Sequence, residues 1–106
     1  MTTLKLTLSK APFEVMVTGE KTVEYRRISA WMKSRLFDKK GHPRSYRYVE
    51  FVNGYGSDKP RFTCEFVSAT ILDSVAVTFS NGLQVQSTEP MYAIQLGTIV
   101  EQNNIK

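Results

Sequence analysis

Gly19-Glu20-Lys21-Thr22-Val23-Glu24-Tyr25-Arg26-Arg27 is the stretch on which the fold reading turns. After its opening glycine it holds threonine, valine and tyrosine, residues that favour a pleated strand. Strand side chains alternate between faces, so Thr22, Glu24 and Arg26 share one face. Val23 and Tyr25 share the other, with Lys21 and Arg27 at its two ends, and Val23 is expected to be buried. The two-residue step from Glu24 to Arg26 is about 6–7 Å along a strand, short enough for the guanidinium to fold back onto the carboxylate. The cluster is either a solvated charge pair or the working part of a site.

Upstream, Leu4-Lys5-Leu6-Thr7-Leu8 alternates apolar and polar residues and predicts a half-buried strand. Ser9 reads as a helix N-cap, with Pro12 in the first turn, where a missing N–H costs little. Phe13, Met16 and Val17 recur at helical spacing and form the expected buried face. Gly19 ends this helix, because glycine adopts a left-handed conformation at little cost.

Downstream, Ser29 caps a short helix over Ala30–Leu36; Trp31 on it is either core, the favoured reading, or a partly exposed stacking surface. Residues 38–45 form a basic loop in which His42, between Gly41 and Pro43, has no ligand-type neighbours. Tyr46–Val52 predicts a strand and Asn53-Gly54 a turn. Phe62, Cys64 and Phe66 share one face of the next strand. β-Structure continues over Ile71–Phe79 with a bend near Asp73-Ser74, and Ser80-Asn81-Gly82 is another turn. Leu83–Gln86 is a short edge strand, and Met91–Gly97 closes the sheet with Tyr92, Ile94 and Leu96 inward. Residues after Val100 are expected to fray. The result is a single domain spanning 1–106, mainly β (α+β): a small barrel of five or six strands with one or two short helices.

With 42% hydrophobic and 23% charged residues, the chain has an ordinary globular composition. No apolar run reaches the roughly 18 residues of a membrane span, and no apolar signal core follows Met1. A cytoplasmic protein without membrane contact is therefore expected, monomeric rather than oligomeric. A single cysteine, Cys64, excludes an intrachain disulfide, and with the single histidine it makes a poor zinc set. No metal and no cofactor is expected.

The net charge of +4 is unevenly spread: Glu20–Arg47 holds nine basic and three acidic residues, the rest of the chain five and seven. A local excess of this kind attracts polyanions.

Gly19-Glu20-Lys21-Thr22-Val23-Glu24-Tyr25-Arg26 resembles the G-x-K-x-x-E-x-R signature of the ASCH domain, a branch of the PUA-like superfamily. The Leu8-Ser9-Lys10 approach, the Val49–Gly56 stretch and the closing Tyr92–Gly97 strand are similar to the corresponding parts of short prokaryotic and phage members. The resemblance implies a β-barrel with a cleft beside the signature strand, and RNA or another nucleic acid as ligand. Some small relatives are amidohydrolases that deacylate modified cytidine, and these resemble this chain at the glycine, Lys21, Thr22 and Arg26. They use a lysine, a threonine and a distant glutamate. Here Glu24 stands where the catalytic threonine falls, and the acidic helical insertion that supplies their glutamate is missing.

The residues themselves allow the same chemistry. Lys21, Lys39 and Lys40 can neutralise phosphates, and Arg26 and Arg27 can do so through a planar fork. Thr22 and Glu24 can hydrogen-bond a base, and Tyr55 offers a stacking face. This set suits RNA, another single-stranded nucleic acid or a nucleotide better than a duplex groove. Two alternatives stand beside this binding module. One is a small hydrolase on a modified nucleobase or RNA, with Lys21 and Glu24 catalytic. The other is a protein-interaction module.

Overall fold

The computed structural model describes residues 3–103. Among these, seven strands and two helices follow in the order β1 (Thr3–Leu8), α1 (Lys10–Val17), β2 (Val23–Arg27), α2 (Ala30–Leu36), β3 (Tyr48–Asn53), β4 (Arg61–Leu72), β5 (Val75–Thr78), β6 (Gln84–Ser87) and β7 (Met91–Asn103). This is more than the five or six expected from sequence; β4 runs on through Leu72, and the expected bend at Asp73-Ser74 separates it from β5.

Five strands form one sheet in the order β1-β3-β4-β7-β2, and β5 pairs with β6 in a separate ribbon. β1 runs parallel to β3, and every other pair in the sheet is antiparallel. The sheet curls into a half-barrel. Its two edge strands, β1 and β2, are not joined by a backbone ladder. Instead the Arg26 guanidinium crosses the gap, its Nη2 donating to the Thr7 carbonyl at 2.8 Å.

The long β4–β7 pair is the spine, and its register shifts between Thr63 and Ser68. Such irregularities bend a strand and strengthen its twist. Gly97 lies at this bend: a Cβ there would stand 3.1 Å from the Glu65 Cβ. Glu65 Oε1 accepts from the Thr98 N–H at 3.0 Å. The irregular register also leaves Phe66 half-buried, whereas Phe62 and Cys64 are fully enclosed.

The core lies between α1 and the inner face of the sheet. Phe13 meets Phe62 edge-on at 5.3 Å between ring centroids, and Phe51 packs on Phe62 at the same separation. Leu6, Met16, Ile94 and Leu96 complete the inward set expected from the alternating patterns. Gly19 follows the helix with φ +87°, the left-handed geometry its position required. Ser9 stands at the α1 N-cap, but its side chain makes no capping bond. Ser29 does cap α2, its hydroxyl accepting from the Met32 N–H at 3.1 Å.

Three expectations need correction. Trp31 is not core: it is 51% exposed, while Met32 and Leu36 fill the buried stripe of α2. Val23 is only half-buried, because the inward face of β2 is the one that carries Glu24 and Arg26. Residues 101–103 are ordered in β7, where they pair with Arg61–Thr63; 104–106 lie outside the described residues. No helix among the described residues is long and apolar enough to cross a membrane.

Candidate nucleic-acid interface

Local backbone geometry builds the charged cluster. After Gly19 the chain turns back along α1, and the Lys21 N–H donates to the Val15 carbonyl at 2.9 Å. β2 then pairs with β7, placing Glu24 opposite Ile94 and Arg26 opposite Tyr92. Ile94 and Tyr92 point into the core, so Glu24 and Arg26 do too. Lys21 stands just before the strand, and its stem carries the ammonium across to the same side. Nζ lies 2.7 Å from Glu24 Oε1, and Arg26 Nε lies 2.8 Å from Glu24 Oε2. One carboxylate therefore holds two cations, one on each oxygen.

The two cations differ in access. The Lys21 side chain is 2% exposed and that of Arg26 23%. Around the Lys21 ammonium stand the Met16 sulfur at 3.6 Å and the rings of Tyr25 and Phe79 at 5.4 and 6.0 Å. Phe79 sits at the turn of the β5–β6 ribbon, which is tied down from two directions. Glu20 accepts from the Ser80 hydroxyl and, at 2.7 Å, from the Ser80 N–H. Asn81 Nδ2 donates to the Ala11 carbonyl at 2.9 Å. The Ser80 bonds hold the Glu20 carboxyl below its ordinary value.

Arg26 instead lines a groove of about 600 Å³ at the open seam of the half-barrel. The groove is bounded by Lys5, Thr7 and Ser9 on one side, with Trp31 and Tyr55 also in its wall. Tyr55 is 83% exposed, at the tip of the loop between β3 and β4. The guanidinium is fixed by Glu24 and by the Thr7 carbonyl, and its Nη1 has no partner among the described residues. A planar cation held rigid beside two solvent-facing aromatics can pair with a phosphate or stack on a base.

The other sequence candidates are scattered. Thr22 is exposed, and its carbonyl accepts from the Leu96 N–H at 2.9 Å. Arg27 lines a different depression, with Ile28 and the segment 86–91. Lys39 and Lys40 are exposed on the loop after α2. Glu24 has both oxygens engaged, so a base amino group would have to displace one of its cations.

Sequence reasoning missed Lys5 as a residue of this groove and favoured the core over an exposed stacking surface for Trp31. For Trp31 a signal existed. In α2, Met32 and Leu36 form one i,i+4 stripe, and Trp31 and Arg35 the next. The stripe that carries the arginine faces water, and Arg35 Cζ stacks over the Trp31 ring at 4.9 Å.

Cys64 is enclosed, and burial, with a smaller contribution from the Glu65 charge, pushes its thiol up to about 12. No group of three or more His, Cys, Asp or Glu among the described residues could hold a metal ion. The chain matches no family model, no curated protein and no solved structure.

Proposed function

We propose that this domain is an ASCH-type, PUA-like module that binds single-stranded RNA or a nucleotide in the seam between β1 and β2. The observation that carries the reading is the Arg26 guanidinium, braced by Glu24 and the Thr7 carbonyl in a groove walled by the exposed Trp31 and Tyr55. The bracing fixes the fork before any ligand arrives, so little freedom is lost on binding. The aromatics supply stacking that tolerates any base. Lys21 acts indirectly, by balancing the carboxylate that aims Arg26.

A hydrolytic role for Lys21 would require the ribbon turn to lift Phe79 away and the ammonium to leave Glu24. The binding reading needs neither movement.

Trp31 is the only tryptophan, so its fluorescence reports on the groove directly. Single-stranded RNA should quench it at low salt. Arg26→Gln should weaken binding while the far-UV spectrum is unchanged. Tyr55→Ala should cost about 1–3 kcal/mol, the worth of one stacked base. An unchanged fluorescence, together with no anisotropy change of labelled RNA at low salt, would remove the proposal. Turnover of an N4-acylated cytidine that is lost in Lys21→Ala would replace it with the hydrolytic reading.

A further inference from the structure

We infer that the ligand is an oligonucleotide, not a free nucleotide, with its backbone leaving the Arg26 groove into a second, basic groove on the far side of Lys5. The inference rests on the binding reading above. The second groove, of about 700 Å³, is walled by Lys5, Ser34, Arg35, Arg44, Ser45 and Tyr46. Lys5 lines both grooves. They share a second wall through α2, where Trp31 faces the first groove, Arg35 faces the second, and the two side chains stack at 4.9 Å. A chain leaving a base stacked on Trp31 thus meets Lys5 and Arg35 at once.

The second groove is held in shape by its own bonds. Arg44 Nε donates to the Ser34 carbonyl at 2.9 Å, and the Tyr46 hydroxyl donates to the Arg35 carbonyl. Among the described residues, Asp38 is the one acidic residue in its wall. That carboxylate is already occupied: Oδ1 accepts from the Lys40 and His42 N–H groups, each at 2.9 Å, and Oδ2 lies 3.7 Å from His42 Nδ1. Lys5, Arg35 and Arg44 are left to face the groove. The two grooves divide the work: aromatic faces and a braced fork in the first, phosphate neutralisation in the second.

The test compares the four nucleoside 5′-monophosphates with a mixed-sequence hexaribonucleotide, read by Trp31 fluorescence and by competition against labelled hexamer. The hexamer should bind at least ten-fold tighter than any monophosphate. Neutralising three phosphates gives a log–log salt slope near −2. Arg35→Gln with Arg44→Gln should bring the hexamer to within about three-fold of the monophosphates and flatten its slope by about 1.4, at roughly 0.7 per lost contact. Monophosphate binding, which rests on Arg26 and Tyr55, should fall far less than hexamer binding. A second pair, Arg35→Glu with Arg44→Glu, should weaken the hexamer further.

Equal affinity for hexamer and monophosphate would overturn this inference and leave the binding reading standing. So would a hexamer affinity indifferent to both arginine pairs. Hexamer binding that depends on Arg35 and Arg44 but not on Arg26 or Tyr55 would overturn the continuous path and the first groove together. A polyglutamate peptide that displaces the hexamer at equal concentration would show an acidic-protein site and overturn the assignment to RNA.

Discussion

Glu24→Ala should be among the most damaging single changes in the chain, although Glu24 is not part of the apolar core cluster. Its two oxygens hold Lys21 at 2.7 Å and Arg26 at 2.8 Å. Without it, the Lys21 ammonium is left with the Met16 sulfur and two ring faces, at 2% side-chain exposure. Breaking a buried pair by removing one partner costs about 3–5 kcal/mol, because the surviving charge is neither hydrated nor paired. Arg26 suffers less: it keeps its bond to the Thr7 carbonyl and reaches water. Domains of this size are stable by about 5–15 kcal/mol in all, and 1 kcal/mol shifts Tm by roughly 4–8 °C. Tm should therefore fall by at least about 12 °C.

The control is Lys21→Met with Glu24→Leu. Replacing both members of a buried pair with apolar groups of similar volume is often neutral or stabilising. Most of the lost stability should return in the double variant. Urea unfolding followed by far-UV circular dichroism gives both numbers, with the slope in denaturant checked for constancy. A loss below about 1 kcal/mol in Glu24→Ala is the value of a surface pair and would refute the buried-charge account. A double variant as unstable as Glu24→Ala would refute it too. Lys21→Ala alone mixes stability with affinity, since that side chain is buried and not at the groove surface.

Cys64 should resist a maleimide at pH 8 in the native protein and label fully in urea, because the buried thiol, pushed up to about 12, carries almost no thiolate there. Glu20 has a lowered folded-state value, so its bonds to Ser80 stabilise the protein above the ordinary 4.5 and are lost as pH falls through the folded value. Wild type should therefore exceed Glu20→Gln in stability at pH 6, and the gap should close on acidification; a gap that widens would contradict the sign. Gly97→Val should destabilise by about 1–3 kcal/mol through its clash with Glu65, read as a drop in Tm. Strand preference alone would predict the reverse.

Much of the fold was legible because burial and alternation agree in β1, β3 and β7. Leu4, Leu6 and Leu8 are all buried, as are Tyr92, Ile94 and Leu96. The bend at Asp73-Ser74, the capping by Ser29 and the reversal at Gly19 were each written in residues with a local reason to be there. What local pattern does not carry is the closure of the sheet. Polar 101–103 looked frayed because side-chain polarity says nothing about a backbone ladder, and the partner is Arg61–Thr63, far away in sequence.

The signature strand shows the same limit in its sharpest form. Alternation correctly put Glu24 and Arg26 together and Val23 and Tyr25 together. It could not say which pair faces in, and hydrophobicity named the wrong one. The inward pair is charged because β2 is an edge of an open sheet. Its inner face meets not only α1 and the core but the seam against β1, where Thr7 offers a carbonyl with no strand to pair it. A buried carboxylate there is tolerated only because Lys21 and Arg26 both reach it. Lys21 reaches it only because Gly19 turns the chain back along α1. The G-x-K-x-x-E-x-R spacing is thus the minimum that sets a helix stop, a buried counter-ion, its carboxylate and a braced guanidinium in one place. A chain that merely needed a solvated edge would have no use for the buried lysine.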